Sequence, residues 1–87
     1  MDPIMDTRRK RILYRANHRG TKEADVMLGG FAAAHLAGLT DSQLDTFEAL
    51  LEELDVEIMD WVIGRQPLPP RHDTDLFRLI LSFKPYA

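Results

Sequence analysis

The sequence predicts an all-α fold, a single compact bundle of about five short helices. Three observations carry that expectation. Apolar residues recur at spacings of three and four along most of the chain, as in Leu44, Phe47, Leu51 and Leu54. Helix-start and helix-stop signals punctuate the sequence, the clearest being Thr40-Asp41-Ser42-Gln43. No two runs of alternating polarity are joined by a hairpin turn. At 87 residues the chain makes one domain, spanning 1–87, with residues 1–6 and 84–87 expected to be flexible ends.

The first helix is expected from about Thr7 to His18. It places Arg9, Ile12, Leu13 and Ala16 on one side, and Arg8, Arg11, Arg15 and Arg19 form a second stripe. Gly20 is expected to end it, because glycine accepts the left-handed conformation that closes a helix. A second helix follows from near Thr21, its N-cap, to about Ala37, with Met27, Leu28, Phe31 and Leu36 apolar. Gly29-Gly30 lies inside it, where each glycine costs roughly 1 kcal/mol against alanine. Either the helix bends there or another part of the chain approaches too closely for a side chain.

Thr40 and Gln43 form a capping box for the third helix, with Leu39 and Leu44 placed as a hydrophobic staple. Its core stripe is Leu44, Phe47, Leu51 and Leu54 with Leu50 beside them. Asp41, Asp45, Glu48 and Glu52 make its wet face. Asp55 reads as the cap of a short fourth helix, "VEIMDWVI", stopped by Gly64. "RQPLPPRH" resists helix because its prolines remove donors and force their neighbours extended. Asp73 or Thr74 then caps a last helix, "DLFRLILSF".

Composition excludes several chemistries. There is no cysteine, hence no disulfide, thiolate metal site or cysteine nucleophile. No apolar run approaches the roughly 20 residues that cross a bilayer, and "MDPIMDTRRKR" lacks a signal core, so a cytoplasmic protein with no membrane insertion is expected. The net charge of -3 conceals a split. Thr7 to Lys22 holds seven basic residues and no acid, whereas Asp41 to Asp60 holds eight acids and no base. Such segments either face partners or neutralise each other in the fold.

The candidate constellations are few. His18, His35 and His72 lack ligand spacing, so no metal is expected. No nucleophile–base arrangement, phosphate loop or convergent carboxylate pair appears, so the chain reads as a non-enzyme without catalytic residues or a stably bound cofactor. Trp61, beside Ile58 and Val62, reads as core. The basic stripe Arg8/Arg11/Arg15/Arg19 suits phosphates, but only Tyr14 interleaves it and the acidic third helix is an alternative partner, so no nucleic acid is expected. Arg19-Gly20-x-x-Glu23 has two readings. Arg19 at a helix C-terminus and Glu23 in a first turn both oppose the local macrodipole, each by roughly 0.3–1 kcal/mol. Alternatively, a glycine corner exposes backbone groups between a cation and an anion, which suits protein docking.

Taken together, "RILYRANHRGTKEAD" with its R-G-x-x-E, "LGGFA", "LTDSQLDTFEALLE" and "DWVIGRQPLP" resemble, in order, the small bacterial SdhE proteins and their mitochondrial counterparts. These are assembly factors for the flavoprotein subunit of succinate dehydrogenase, and the similarity runs from about Arg8 to Phe83. The resemblance implies a helical chaperone that binds that subunit and promotes covalent attachment of FAD to one of its histidines. Similar factors also serve the fumarate reductase flavoprotein. Arg19, Gly20 and Glu23 are the positions the resemblance turns toward the partner, with Arg11, Tyr14, His18 and Asp25 flanking them. Thr21 departs from the larger apolar residue usual after this glycine. FAD would stay on the partner, and the free factor is expected to be a monomer. The rival readings are another small interaction protein, such as an antitoxin-like regulator, and a nucleic-acid-binding helical module.

Overall fold

A side chain at each of four helix starts accepts a backbone N–H that the helix itself cannot satisfy. Asp6 caps α1 (Thr7–Asn17), taking the Arg9 N–H at 2.8 Å. Thr21 caps α2 (Lys22–His35), and Thr74 caps α5 (Asp75–Ser82). Thr40 and Gln43 close the anticipated capping box on α3 (Asp41–Leu51). The fifth case, α4 (Asp55–Ile63), begins at Leu54 with no side-chain cap. In this computed structural model residues 6–83 are described; the expected flexible ends at 1–5 and 84–87 lie outside them. Asp6, counted above with the N-terminal end, is the N-cap of α1.

The five expected helices are all present, and among the described residues there is no strand. Short 3-10 turns follow α2 at Leu36–Gly38 and precede α5 at Pro70–His72. The second is a departure from the expected non-helical segment. Pro70 opens it without loss, since a first-turn N–H has no intrahelical acceptor.

The core is built where the helical stripes converge. Ile12 and Ala16 of α1, Leu28 and Phe31 of α2, Leu44 and Phe47 of α3, Ile58 of α4 and Ile80 of α5 are all fully buried. Phe31 meets Phe47 edge-on at 5.6 Å between ring centroids, a favoured aromatic geometry. Leu39 and Leu44 are both buried in this cluster, as the staple requires. Trp61 and Val62 pack on its margin. Trp61 leans on the buried His72 ring at 5.3 Å.

Two expectations about glycine sort differently. Gly29 is where α1 approaches closely: a Cβ there would overlap the Asn17 side-chain oxygen and lie 3.3 Å from the Asn17 Cα. Gly64 ends α4 in the left-handed conformation at φ 80°. Gly20 does not end α1 that way. The helix closes at His18, and Gly64 is the one glycine of positive φ among the described residues.

Leu54 is a further correction. It was expected in the α3 stripe, but the helix stops at Leu51, and Leu54 is 66% exposed in the connection to α4.

Candidate functional site

The corner between α1 and α2 is held from below by the junction between α3 and α4. Arg19 is the key. Its Nε donates to Asp55 Oδ1 at 2.6 Å, Nη1 to the Leu51 carbonyl at 2.8 Å, and Nη2 to the Glu53 carbonyl at 2.7 Å. A planar fork with fixed donors suits this: it fills carbonyls left over at the α3 C-terminus and neutralises a carboxylate in one motion. Arg19 and Asp55 side chains are 11% and 13% exposed.

Asp55 has a second bond. Its Oδ2 accepts the Gly20 backbone N–H, while Asp25 accepts the Arg19 N–H at 2.6 Å. Asp55 was expected to cap α4, but its carboxylate is spent on the corner, 35 and 36 residues away in sequence. A Cβ on Gly20 would sit 3.0 Å from Asp55 Oδ2, so glycine permits this close seating. Gly20 therefore serves proximity and not a left-handed turn.

The candidate residues fall into two sets. Gly20 and Glu23 lie exposed at the corner, and Tyr14, His18 and Arg11 lie exposed along α1 and its end. His18 stacks on Tyr14 with ring centroids 3.9 Å apart, and its Nδ1 lies 2.8 Å from the Tyr14 carbonyl oxygen. Arg19 and Asp25, by contrast, turn their polar groups inward, onto Asp55 and onto the Arg19 N–H. The backbone N–H groups of residues 19 and 20 are thus already bonded inside the fold. Of the R-G-x-x-E residues, the corner turns outward the bare Gly20 surface and the Glu23 carboxylate, with Thr21 and Lys22 exposed between them.

The charge split also resolves internally. Arg8 pairs with Asp45 and with Glu48, the latter through Nη2 at 2.6 Å, and Arg15 pairs with Glu52. Hydrogen bonding to Asp45, then to Glu48, raises the Arg8 pKa further. With Arg19 on Asp55, three of the four stripe arginines face acids of α3 and α4, and Arg11 is the one left to solvent. Arg9, expected on the apolar side, lays its guanidinium on the Leu36 and Leu39 carbonyls and so satisfies the turn after α2.

Sequence reasoning missed two contributors. Asp55 was read through a local capping rule, and the only hint of its role was the complementary charge of two distant segments. Val56, Met59 and Ile63 form an outward apolar strip of α4 beside Thr21 and Glu23. In the sequence they blend with Ile58, Trp61 and Val62, because this short helix is apolar on most sides. Among the described residues no group of three or more potential ligands could hold a metal, and no helix is long and apolar enough to cross a membrane.

Comparison with known proteins adds the identity. Residues 10–84 match the Sdh5 family, described as the flavinator of succinate dehydrogenase. Over 75 residues the chain is 45% identical to the FAD assembly factor SdhE of Acetobacter pasteurianus, covering 86% of this chain and 69% of that protein. It is 43% identical to the mitochondrial succinate dehydrogenase assembly factor 2 of Candida glabrata, over 77% of this chain and 46% of that one. The Dictyostelium discoideum factor of the same name is 35% identical, over 83% of this chain and 51% of its own. The chain thus spans about half the length of these two mitochondrial relatives. With the family match covering nearly all of a five-helix chain whose R-G-x-x-E corner is intact, the protein belongs to the Sdh5 family of succinate dehydrogenase flavinators.

Proposed function

We propose that this chain is a non-catalytic assembly factor that binds the flavoprotein subunit of succinate dehydrogenase and promotes covalent attachment of FAD to it. Membership of the flavinator family carries this reading. The corner then has a physical job. Attachment joins a histidine nitrogen of the partner to the 8α-methyl carbon of its flavin, and the flavin itself accepts the electrons. This chain need only bind best to the arrangement of the subunit in which those two atoms are aligned. Tenfold tighter binding to that arrangement raises its relative population about tenfold.

Within this reading Gly20 and Glu23 meet the partner, while Arg19, Asp25 and Asp55 are positioning residues that fix the corner's shape. Tyr14, His18 and Arg11 extend the contact along α1. The geometry that supports this division is the inward bonding of Arg19 and Asp25 beside the outward Glu23. A pre-formed corner loses little entropy on docking. FAD belongs to the partner, the factor acts as a monomer, and the compartment is cytoplasmic. The fumarate reductase flavoprotein is a second client of the same surface.

The test is complementation. Cells lacking the native factor receive this chain or its Gly20→Leu variant, and covalent flavin on the flavoprotein is read by in-gel fluorescence. The wild type restores the fluorescent band and the variant does not. Restoration by both would remove the corner from the mechanism, and restoration by neither would remove the function.

A further inference from the structure

Helix α4 is apolar on two sides, and only one of them serves the fold. Ile58 is buried, with Trp61 and Val62 packed against the core. Val56, Met59 and Ile63, at positions i, i+3 and i+7, line the opposite side. Val56 is 61% and Ile63 58% exposed. Together they floor a groove of about 350 Å³ whose wall includes Thr21 and Glu23 from the start of α2. A short amphipathic helix has no folding reason to keep such a strip wet.

The groove's charge is also unbalanced. Three carboxylates line it, Glu23, Asp55 and Asp60. Arg19 answers Asp55 at 2.6 Å, and Arg65 answers Asp60 at 3.4 Å. Glu23 is exposed and forms no ion pair among the described residues. An apolar floor beside one unanswered carboxylate selects a particular ligand: a large aliphatic or aromatic side chain with a cation next to it.

We propose that this groove is a second contact of the corner and takes from the flavoprotein subunit an apolar anchor adjoined by a lysine or arginine that reaches Glu23. The inference rests on the assembly-factor reading and specifies its partner's chemistry. Continuity supports the choice of occupant. Glu23 and Thr21 belong to the corner and to the groove wall alike, so a protein seated on Gly20 and Glu23 also lies over Val56 and Ile63.

The experiment uses the full chain and purified flavoprotein subunit lacking covalent flavin. Binding is measured for the wild type, for Val56→Ser/Ile63→Ser and for Gly20→Leu, with a photo-crosslinker at position 63 in a parallel sample. Both serine sites are more than half exposed, so helicity and Tm should hold. The double variant should bind about tenfold more weakly, and the crosslink should fall on a segment with an apolar residue beside Lys or Arg. Added salt should weaken the wild type but barely affect Glu23→Gln. If the serine variant binds within about twofold of wild type while Gly20→Leu is impaired, the groove is refuted and the docking corner stands. Absence of wild-type binding refutes both. If the serine changes abolish only self-association in sedimentation, a second copy of the chain covers the groove and the proposal is wrong.

Discussion

Arg19 and Asp55 form the joint on which the corner is built: Nε lies 2.6 Å from Oδ1, and the same carboxylate's other oxygen takes the Gly20 N–H. Both side chains are largely buried, so losing either leaves its partner charge poorly hydrated and without a counter-ion. Asp55→Ala should cost about 3 kcal/mol. In a domain of this size that lowers Tm by roughly 15 °C. Arg19→Lys should recover little, because one ammonium cannot reach Asp55 and both the Leu51 and Glu53 carbonyls in a fork. Urea unfolding followed by helicity checks both. A loss below about 0.5 kcal/mol for Asp55→Ala would mean that the joint is a surface pair.

Gly29→Ala sets two effects against each other. Helix propensity favours alanine by about 1 kcal/mol. Against it stands the overlap with Asn17, whose exposed amide can swing away but whose Cα, 3.3 Å off, moves only with α1. The close packing of α1 on α2 makes the steric side larger, about 1–3 kcal/mol. The net expectation is a loss of about 1 kcal/mol, read from the denaturation midpoint. Any gain in stability contradicts it.

Gly64 and Gly38 provide a matched contrast. A Cβ at either meets nothing within 4 Å, but Gly64 sits at φ 80°. Gly64→Ala should therefore cost about 1–2 kcal/mol from backbone strain alone. Gly38→Ala should be neutral or add about 0.5 kcal/mol by narrowing the unfolded ensemble. Equal effects at the two sites would contradict the conformational argument.

Glu53 ties the end of α3 to the Pro70–His72 turn through the buried His72 ring and Arg71. The His72 hydrogen bond, then that of Arg71, hold its carboxyl below the usual 4.5. A folded-state pKa below the unfolded one adds stability above 4.5, and that stability is lost as pH falls through the depressed value. Urea midpoints from neutral pH downward should thus drop most steeply below about pH 4.5. Glu53→Gln should flatten that drop. An unchanged acid slope in the variant would remove Glu53 from the acid response.

Much of this fold was legible because its signals are local. The caps at Thr21 and Thr40, the cap left between Asp73 and Thr74 that falls to Thr74, and the stop at Gly64 each act within one turn of chain, where sequence and structure are nearly the same information. What was illegible was non-local. Asp55 has the residue type and the place of an N-cap, yet Arg19 claims it from 36 residues away. Leu54 continues the α3 periodicity, but the helix closes at Leu51. The candidate site was readable as a corner and not as a division of labour. Nothing in R-G-x-x-E says that the arginine faces inward and the glutamate outward; the arginine is drawn in by Asp55 and by the Leu51 and Glu53 carbonyls beneath it.

On the proposed reading the outward corner, and not its internal joint, engages the flavoprotein. Glu23→Lys separates the two, since Glu23 is exposed and its side chain makes no hydrogen bond or ion pair among the described residues. The measurement is covalent flavin fluorescence on the flavoprotein of factor-deficient cells complemented with this variant, alongside its Tm. On this account the variant should stay folded, with Tm down by roughly 5–10 °C because a cation replaces an anion in the first turn of α2, and its flavin band should be lost. A full-strength band from the stably folded variant would contradict it.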